Sequence, residues 1–343
     1  MSLLDRLSSA FSDELQEEPL YTLIQSAVRP DGCLPADFAL PQKAMGKGKL
    51  LFADGAIDGM LLYHAHSAHS PRQDVRPLCA AFDRIAAGDF GGADRLLYSY
   101  FRKKGHPRML SAIDPLQEWV QRERGDVDAE LLYRYALAVI GRAAGTEVIK
   151  FALALLELLD TGDDAAARQM VTTLALSDEF TLFALYIERR WPDGNAQMFK
   201  TAQKVHGWGR IHAVEQLEPD TDEIRSWLLH EGWDNRVLGE YSALTCVRKG
   251  GLLGRLQQPV VSRSDFAAAG QLLMLLANAG PVPGLDGFDQ PSALLAAYLA
   301  HAAVMAGTRE DFMALDAVEA YVESSALPDK PALLAACRRA REK

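Results

Sequence analysis

Lys204-Val-His-Gly-Trp-Gly-Arg-Ile-His-Ala-Val-Glu-Gln-Leu-Glu-Pro219, continuing through Asp220-Thr-Asp-Glu-Ile-Arg-Ser-Trp-Leu-Leu-His-Glu-Gly232 to Trp233-Asp-Asn-Arg-Val-Leu-Gly-Glu-Tyr-Ser-Ala-Leu244, reads as helix, turn, helix, turn, helix. After Pro219, Asp220 stands where a side-chain oxygen can accept hydrogen bonds from the free N–H groups of a new helix, and Asp222 and Glu223 suit its positive end. Ile224, Trp227 and Leu228 then recur on one face, and Gly232 is expected to stop the helix in a left-handed conformation. Asn235 is expected to cap the next helix, with Val237, Leu238, Tyr241, Leu244 and Val247 as its buried stripe and Lys249-Gly250-Gly251 as its end.

Gly209-Arg210-Ile211 before Ala-Val-x-x-Leu resembles Asn235-Arg236-Val237 before Tyr-Ser-Ala-Leu. Both are similar to the second helix of a HEAT-type pair, in which a turn Asp or Asn precedes Arg and an aliphatic residue. Asp164-Ala-Ala-Ala-Arg168, after the apolar segment Val148 to Leu159, is a looser third copy. The arginines do not recur at one interval, which suits degenerate hairpins better than a strict array of period about 40. The fold class expected is therefore all-α, an irregular α-solenoid of HEAT-like helical hairpins. Trp208, Trp227 and Trp233 are read first as packing residues, because large aromatics dominate core burial.

The chain has 343 residues, 49% hydrophobic and 24% charged, enough to bury a core in two or three domains or in one solenoid. A formal charge of −10 disfavours nucleic acid as a partner. Arg102-Lys103-Lys104, the nearest thing to a basic run, sits at an expected helix end, where cations are favourable. Cys33, Cys79, Cys246 and Cys337 are too scattered for a zinc knuckle or a disulfide framework. Without a secretory pattern at the start or a long apolar stretch, the expected location is cytoplasmic, with no membrane contact.

Residues 3 to 16 read as a helix, followed by a stretch rich in breakers from Arg29 to Pro41. Near residues 49–66, two Asp-Gly pairs flank Ala56-Ile57 between short apolar runs, and a small β-hairpin or irregular element is expected there. If Leu61 to His66 is extended, His64 and His66 share a face, with Asp54 and Asp58 upstream, and these four are the candidate ligands of a divalent metal. The bland alternative is a solvated turn. Gly46-Lys47-Gly48-Lys49 lacks the spacing and terminal Lys-Ser/Thr of a phosphate loop. From Asp74 onwards helices follow one another, and the charged helices near Glu310 to Ser324 and Pro331 to Arg341 suit a polar end cap. The expected organisation is an irregular segment 1–72, helical hairpins 73–145, and a HEAT-like repeat region 146–343.

Two blocks, Phe52-Ala-Asp-Gly-Ala-Ile-Asp-Gly59 with Tyr63-His64, and Gly207 to Pro219 with Trp227-Leu-Leu-x-Glu231-Gly232, resemble a bacterial family whose members often carry the label limonene hydroxylase. The resemblance covers about a third of the chain. Family members often have Cys or a small residue after the Glu-Gly pair, where this chain has Trp233. The label implies an oxygen-activating enzyme, and the family's fold is expected to be helical repeats. The chain itself has no haem-thiolate motif around a cysteine and no dinucleotide fingerprint after a strand, and its only hint of a 2-His-1-carboxylate set is at His64 and His66.

These features favour a protein-interaction module, an adaptor, inhibitor or immunity-type protein, that offers a concave helical surface to a partner whose basic charge would suit the acidic chain. The candidate binding residues are Trp208, Arg210, His212, Trp233, Asn235, Arg236 and Tyr241, and no cofactor is expected. The alternative is an enzyme, either a metal-assisted hydrolase at Asp54, Asp58, His64 and His66, or a helical-repeat nucleobase-processing enzyme using the central tryptophans and Asp234.

Overall fold

The structure is a computed structural model that describes residues 18–41, 51–64, 74–103, 107–278, 280 and 282–342. The expected helix 3–16, His66 and the Gly46-Lys47-Gly48-Lys49 run lie outside the described residues. Every regular element among those residues is helical, and none is a strand. The chain divides into two compact units, Met1–Val205 and His206–Lys343, a boundary that falls inside the 146–343 region.

The first unit contains α1 (Leu20–Ala27), α2 (Ala56–His64), α3 (Arg76–Ala86), α4 (Phe90–Phe101), α5 (Ile113–Glu123), α6 (Ala129–Arg142), α7 (Thr146–Glu157), α8 (Ala165–Leu174), α9 (Asp178–Glu188) and α10 (Gly194–Lys204). Its centre is α7. Glu147 to Leu156 are all buried, as the nearly continuous apolar run demands, because α4, α6 and α9 pack around it. Aspartates cap two of these helices: Asp128 accepts from the Glu130 N–H and Asp164 from the Ala167 N–H. Arg168, in the third repeat-like copy, stacks 4.1 Å from the Trp191 ring centroid and forks onto both Asp193 oxygens.

The β-hairpin expected near residues 49–66 does not form among the described residues. Gly55, at φ +73, turns the chain into α2, so the first Asp-Gly pair precedes a helix. The second, Asp58-Gly59, lies inside that helix and supplies its only buried residues, with the Asp58 carboxylate drawn to the buried ammonium of Lys150.

The second unit contains α11 (Gly207–Gln216), α12 (Asp222–Trp227), a π-helical turn Leu228–Gly232, α13 (Glu240–Gly250), α14 (Leu252–Leu256), α15 (Arg263–Ala277), α16 (Pro291–Met305), α17 (Arg309–Ser324) and α18 (Lys330–Arg341). Alternate helices pack together: α13 on α15 and α15 on α17 form one row, α14 on α16 and α16 on α18 the other. Thr308 and Asp311 close a capping box at the start of α17.

Three details of the opening stretch differ from expectation. Thr221, not Asp220, caps α12, because its extended backbone places the hydroxyl 3.2 Å from the Ile224 N–H. Gly232 is not left-handed. It sits in the π-helical turn, where an added Cβ would lie 3.2 Å from both the Cys246 sulfur and the Trp227 ring. The helix expected after Asn235 starts only at Glu240, because Asn235 folds the intervening residues into a loop, and Val237 and Leu238 are exposed instead of buried.

Candidate functional site

In the second unit, Arg210, His212, Trp208 and Asn235 are all buried. Gly207, at φ +53, starts α11, and its N–H donates to the Asn235 carbonyl at 2.7 Å, tying the helix start to the loop 233–239. The Arg210 guanidinium stacks 5.5 Å from the Trp227 centroid and donates to the carbonyls of Asp234 at 3.1 Å and Glu231 at 3.4 Å. It therefore satisfies backbone acceptors at the end of the π-helical turn, groups that a broken helix leaves open. Burial holds the guanidinium below its usual value, against the pull of Asp234.

Asn235 fixes the loop itself. Its Oδ1 accepts from the Val237 and Leu238 N–H groups at 2.9 and 3.0 Å, and its Nδ2 donates to the Leu238 carbonyl and the Ser242 hydroxyl at 2.9 and 3.2 Å. Every polar group of this buried amide is used, which is the arrangement that gives a loop one conformation. Arg236 is the one described residue other than glycine in the left-handed region, at φ +60. That conformation costs about 1 kcal/mol in a residue with a Cβ and holds only where neighbouring bonds over-determine it. The outcome is an exposed tip of Arg236, Val237 and Leu238, the two aliphatics 44% and 45% accessible. Half-buried Trp233 and Tyr241 flank it, and Tyr241 packs edge-on against Trp208 with centroids 5.1 Å apart.

His206 is pushed down to about 4 by burial and by the Arg210 and Arg236 cations, so it is neutral at pH 7. Burial raises the Cys246 thiol, as it does those of Cys79 and Cys337, which leaves them poor nucleophiles.

Of the four candidate metal ligands in the first unit, Asp54, Asp58 and His64 lie among the described residues. Asp54 accepts the Leu40 N–H at 2.9 Å, Asp58 is paired with Lys150, His64 is exposed at the end of α2, and His66 lies outside the described residues. No three of the described His, Cys, Asp and Glu side chains are grouped so as to hold a metal ion.

What the sequence reading missed is an ionic cluster inside the first unit. The Lys150 ammonium is fully buried and meets carboxylate oxygens of Asp58 at 2.6 Å, Glu179 at 2.5 Å and Glu147 at 3.3 Å. Glu147 also accepts from Arg108 at 3.0 Å and from the Met109 N–H at 2.6 Å, and Glu179 from the Gly55 N–H at 2.8 Å. Burial alone would lower the lysine, but Glu147, Glu179 and Asp58 outweigh it and hold the ammonium above its ordinary value. Burial also holds the Asp58 carboxyl above its usual range despite Lys150. Its Oδ1 has no hydrogen-bond partner. The available signal was a lysine within the apolar run of α7, since a buried lysine requires anionic partners.

In the same unit, an open cleft of about 440 Å³ lies between Leu61 and Leu62 of α2 and Gln117, Glu157, Tyr186 and Arg189. No described helix is long and apolar enough to cross a membrane. No family model, curated protein or solved structure matches the chain.

Proposed function

We propose that this chain is a protein-interaction module and that the loop 233–239 of the second unit is its binding edge. The observation that carries this reading is the exposed tip Arg236-Val237-Leu238, held in one conformation by the fully bonded Asn235 amide beneath it. A rigid loop loses little conformational freedom on binding, so the apolar area of Val237 and Leu238 is available for affinity. The arginine, tryptophan and tyrosine of the patch are the residue types enriched at interface hot spots, and Val237 and Leu238 add apolar area around them. Alternate packing of α13, α15 and α17, and of α14, α16 and α18, supports the helical-hairpin repeat reading for this unit, a class that commonly presents partners with an extended surface. The formal charge of −10 favours a basic partner, through faster encounter at low ionic strength.

The test is a photo-crosslinking residue placed at 238 or, as a control, at Val260, which is 85% exposed, in cells of the source organism. The proposal requires one discrete protein adduct from position 238 that is absent from position 260 and lost when Trp233→Ala is added. Equal adducts from both positions, or none from 238, would overturn it.

A further inference from the structure

Most helices of the first unit bury apolar side chains fully, whereas the one side chain that α2 buries fully is charged. Its only buried residues are Asp58 and Gly59. Met60 and Leu62 stand 48% and 42% exposed, and Leu51, just ahead of it, 66%. Polar bonds help fasten α2 and its approach: Asp58 to Lys150, the Gly55 N–H to Glu179, and the Leu40 N–H to Asp54.

We propose that α2 is a releasable strap on the first unit, latched by the buried Asp58–Lys150 ion pair, and that its release uncovers the face of α7 and α9 beneath and opens the cleft beside Leu61 and Leu62.

The geometry of the cluster supplies the reason. With α2 in place, the carboxylates of Asp58, Glu147 and Glu179 converge on the one ammonium of Lys150. Asp58 Oδ1, on a side chain only 4% exposed, has no hydrogen-bond partner, so the latch holds a buried carboxylate oxygen that water would solvate. When α2 lifts, Asp58 returns to water, and Lys150 keeps Glu147 and Glu179 as anionic partners. The lysine is not left bare, so α7 and α9 need not unfold. A buried ion pair is close to break-even against its desolvation, and no apolar side chain of α2 is fully buried, so its opening lies at the low end of the free-energy scale for local unfolding. Lys150 itself stays fixed, since it belongs to the buried α7 and lies 5.6 Å from the centroid of the Phe183 ring on α9. The cleft follows α2 because Leu61 and Leu62 form one of its sides and α5, α7 and α9 the other.

Native-state hydrogen exchange of the full chain at pH 7, read peptide by peptide, tests this. Amides of 59–64 are expected to exchange at least about tenfold faster than those of 151–156 in α7, through openings that leave α7 protected. Asp58→Ala is expected to accelerate exchange in α2 by about a further tenfold without changing α7. Leu155→Ala, which lowers the stability of the core without touching the latch, is expected to accelerate α7 and not to act selectively on α2. Exchange of α2 only in step with α7, or α2 rates unaltered by Asp58→Ala, would overturn the proposal.

Discussion

Single residues carry the account's sharpest consequences. Trp227 is 6% exposed beneath the Arg210 guanidinium, so Trp227→Ala removes a core aromatic and a stacking partner together. The expected loss is about 3 to 5 kcal/mol, read from the midpoint of urea unfolding. A second case is Glu188, fully buried, with both carboxyl oxygens 3.0 to 3.1 Å from the Thr201 hydroxyl. Burial pushes its carboxyl up to about 7, against hydrogen bonds from Thr201 and Gln197. Because the folded value lies above the unfolded one, Glu188 favours the folded state when protonated, and stability falls as pH rises from about 4.5 to about 7. The full span is about 3 kcal/mol, and Glu188→Gln should flatten that part of the stability profile. A profile unchanged by this substitution would remove Glu188 from the explanation. Asn235 and Arg236 were visible in the sequence as turn residues. The left-handed backbone at Arg236 was not, since local preference places an arginine there only when bonds formed elsewhere require it.

At the scale of elements, most helices follow from their periodicity and caps, and the departures have local physical causes. Asn235 has the chemistry of a helix cap and also that of a self-contained turn. Its two acceptances from Val237 and Leu238 belong to the turn, and α13 is thereby delayed to Glu240. The Val237 and Leu238 stripe consequently ends in solvent, and sequence spacing alone could not distinguish the two outcomes. In α2 the two Asp-Gly pairs signal turns, but a partner 92 positions away in sequence, Lys150, settles the second as helix. Replacing Asn235 by Ala leaves the Ser242 hydroxyl and three loop backbone groups without their buried partner. The expected cost is about 2 to 4 kcal/mol, measurable as a lower urea midpoint, together with faster amide exchange confined to 236–242.

For the whole molecule, the all-helical class was legible because apolar positions recur at helical spacing from Asp74 onwards, and because turn residues fall between those runs. The division at 205/206 was less so: Lys204-Val205-His206 has no linker composition, and the boundary depends on which helices share a core. The proposed binding edge lies in the second unit and the proposed ionic latch in the first, so the two can be tested independently. The measurement that bears most directly on the central claim is hydrogen exchange of the full chain with and without the partner captured at position 238. Slowed exchange concentrated in 233–241 and the start of α11 is the predicted result. Protection located only in the first unit, or none at either unit under saturating partner, would contradict the assignment of loop 233–239 as the binding edge.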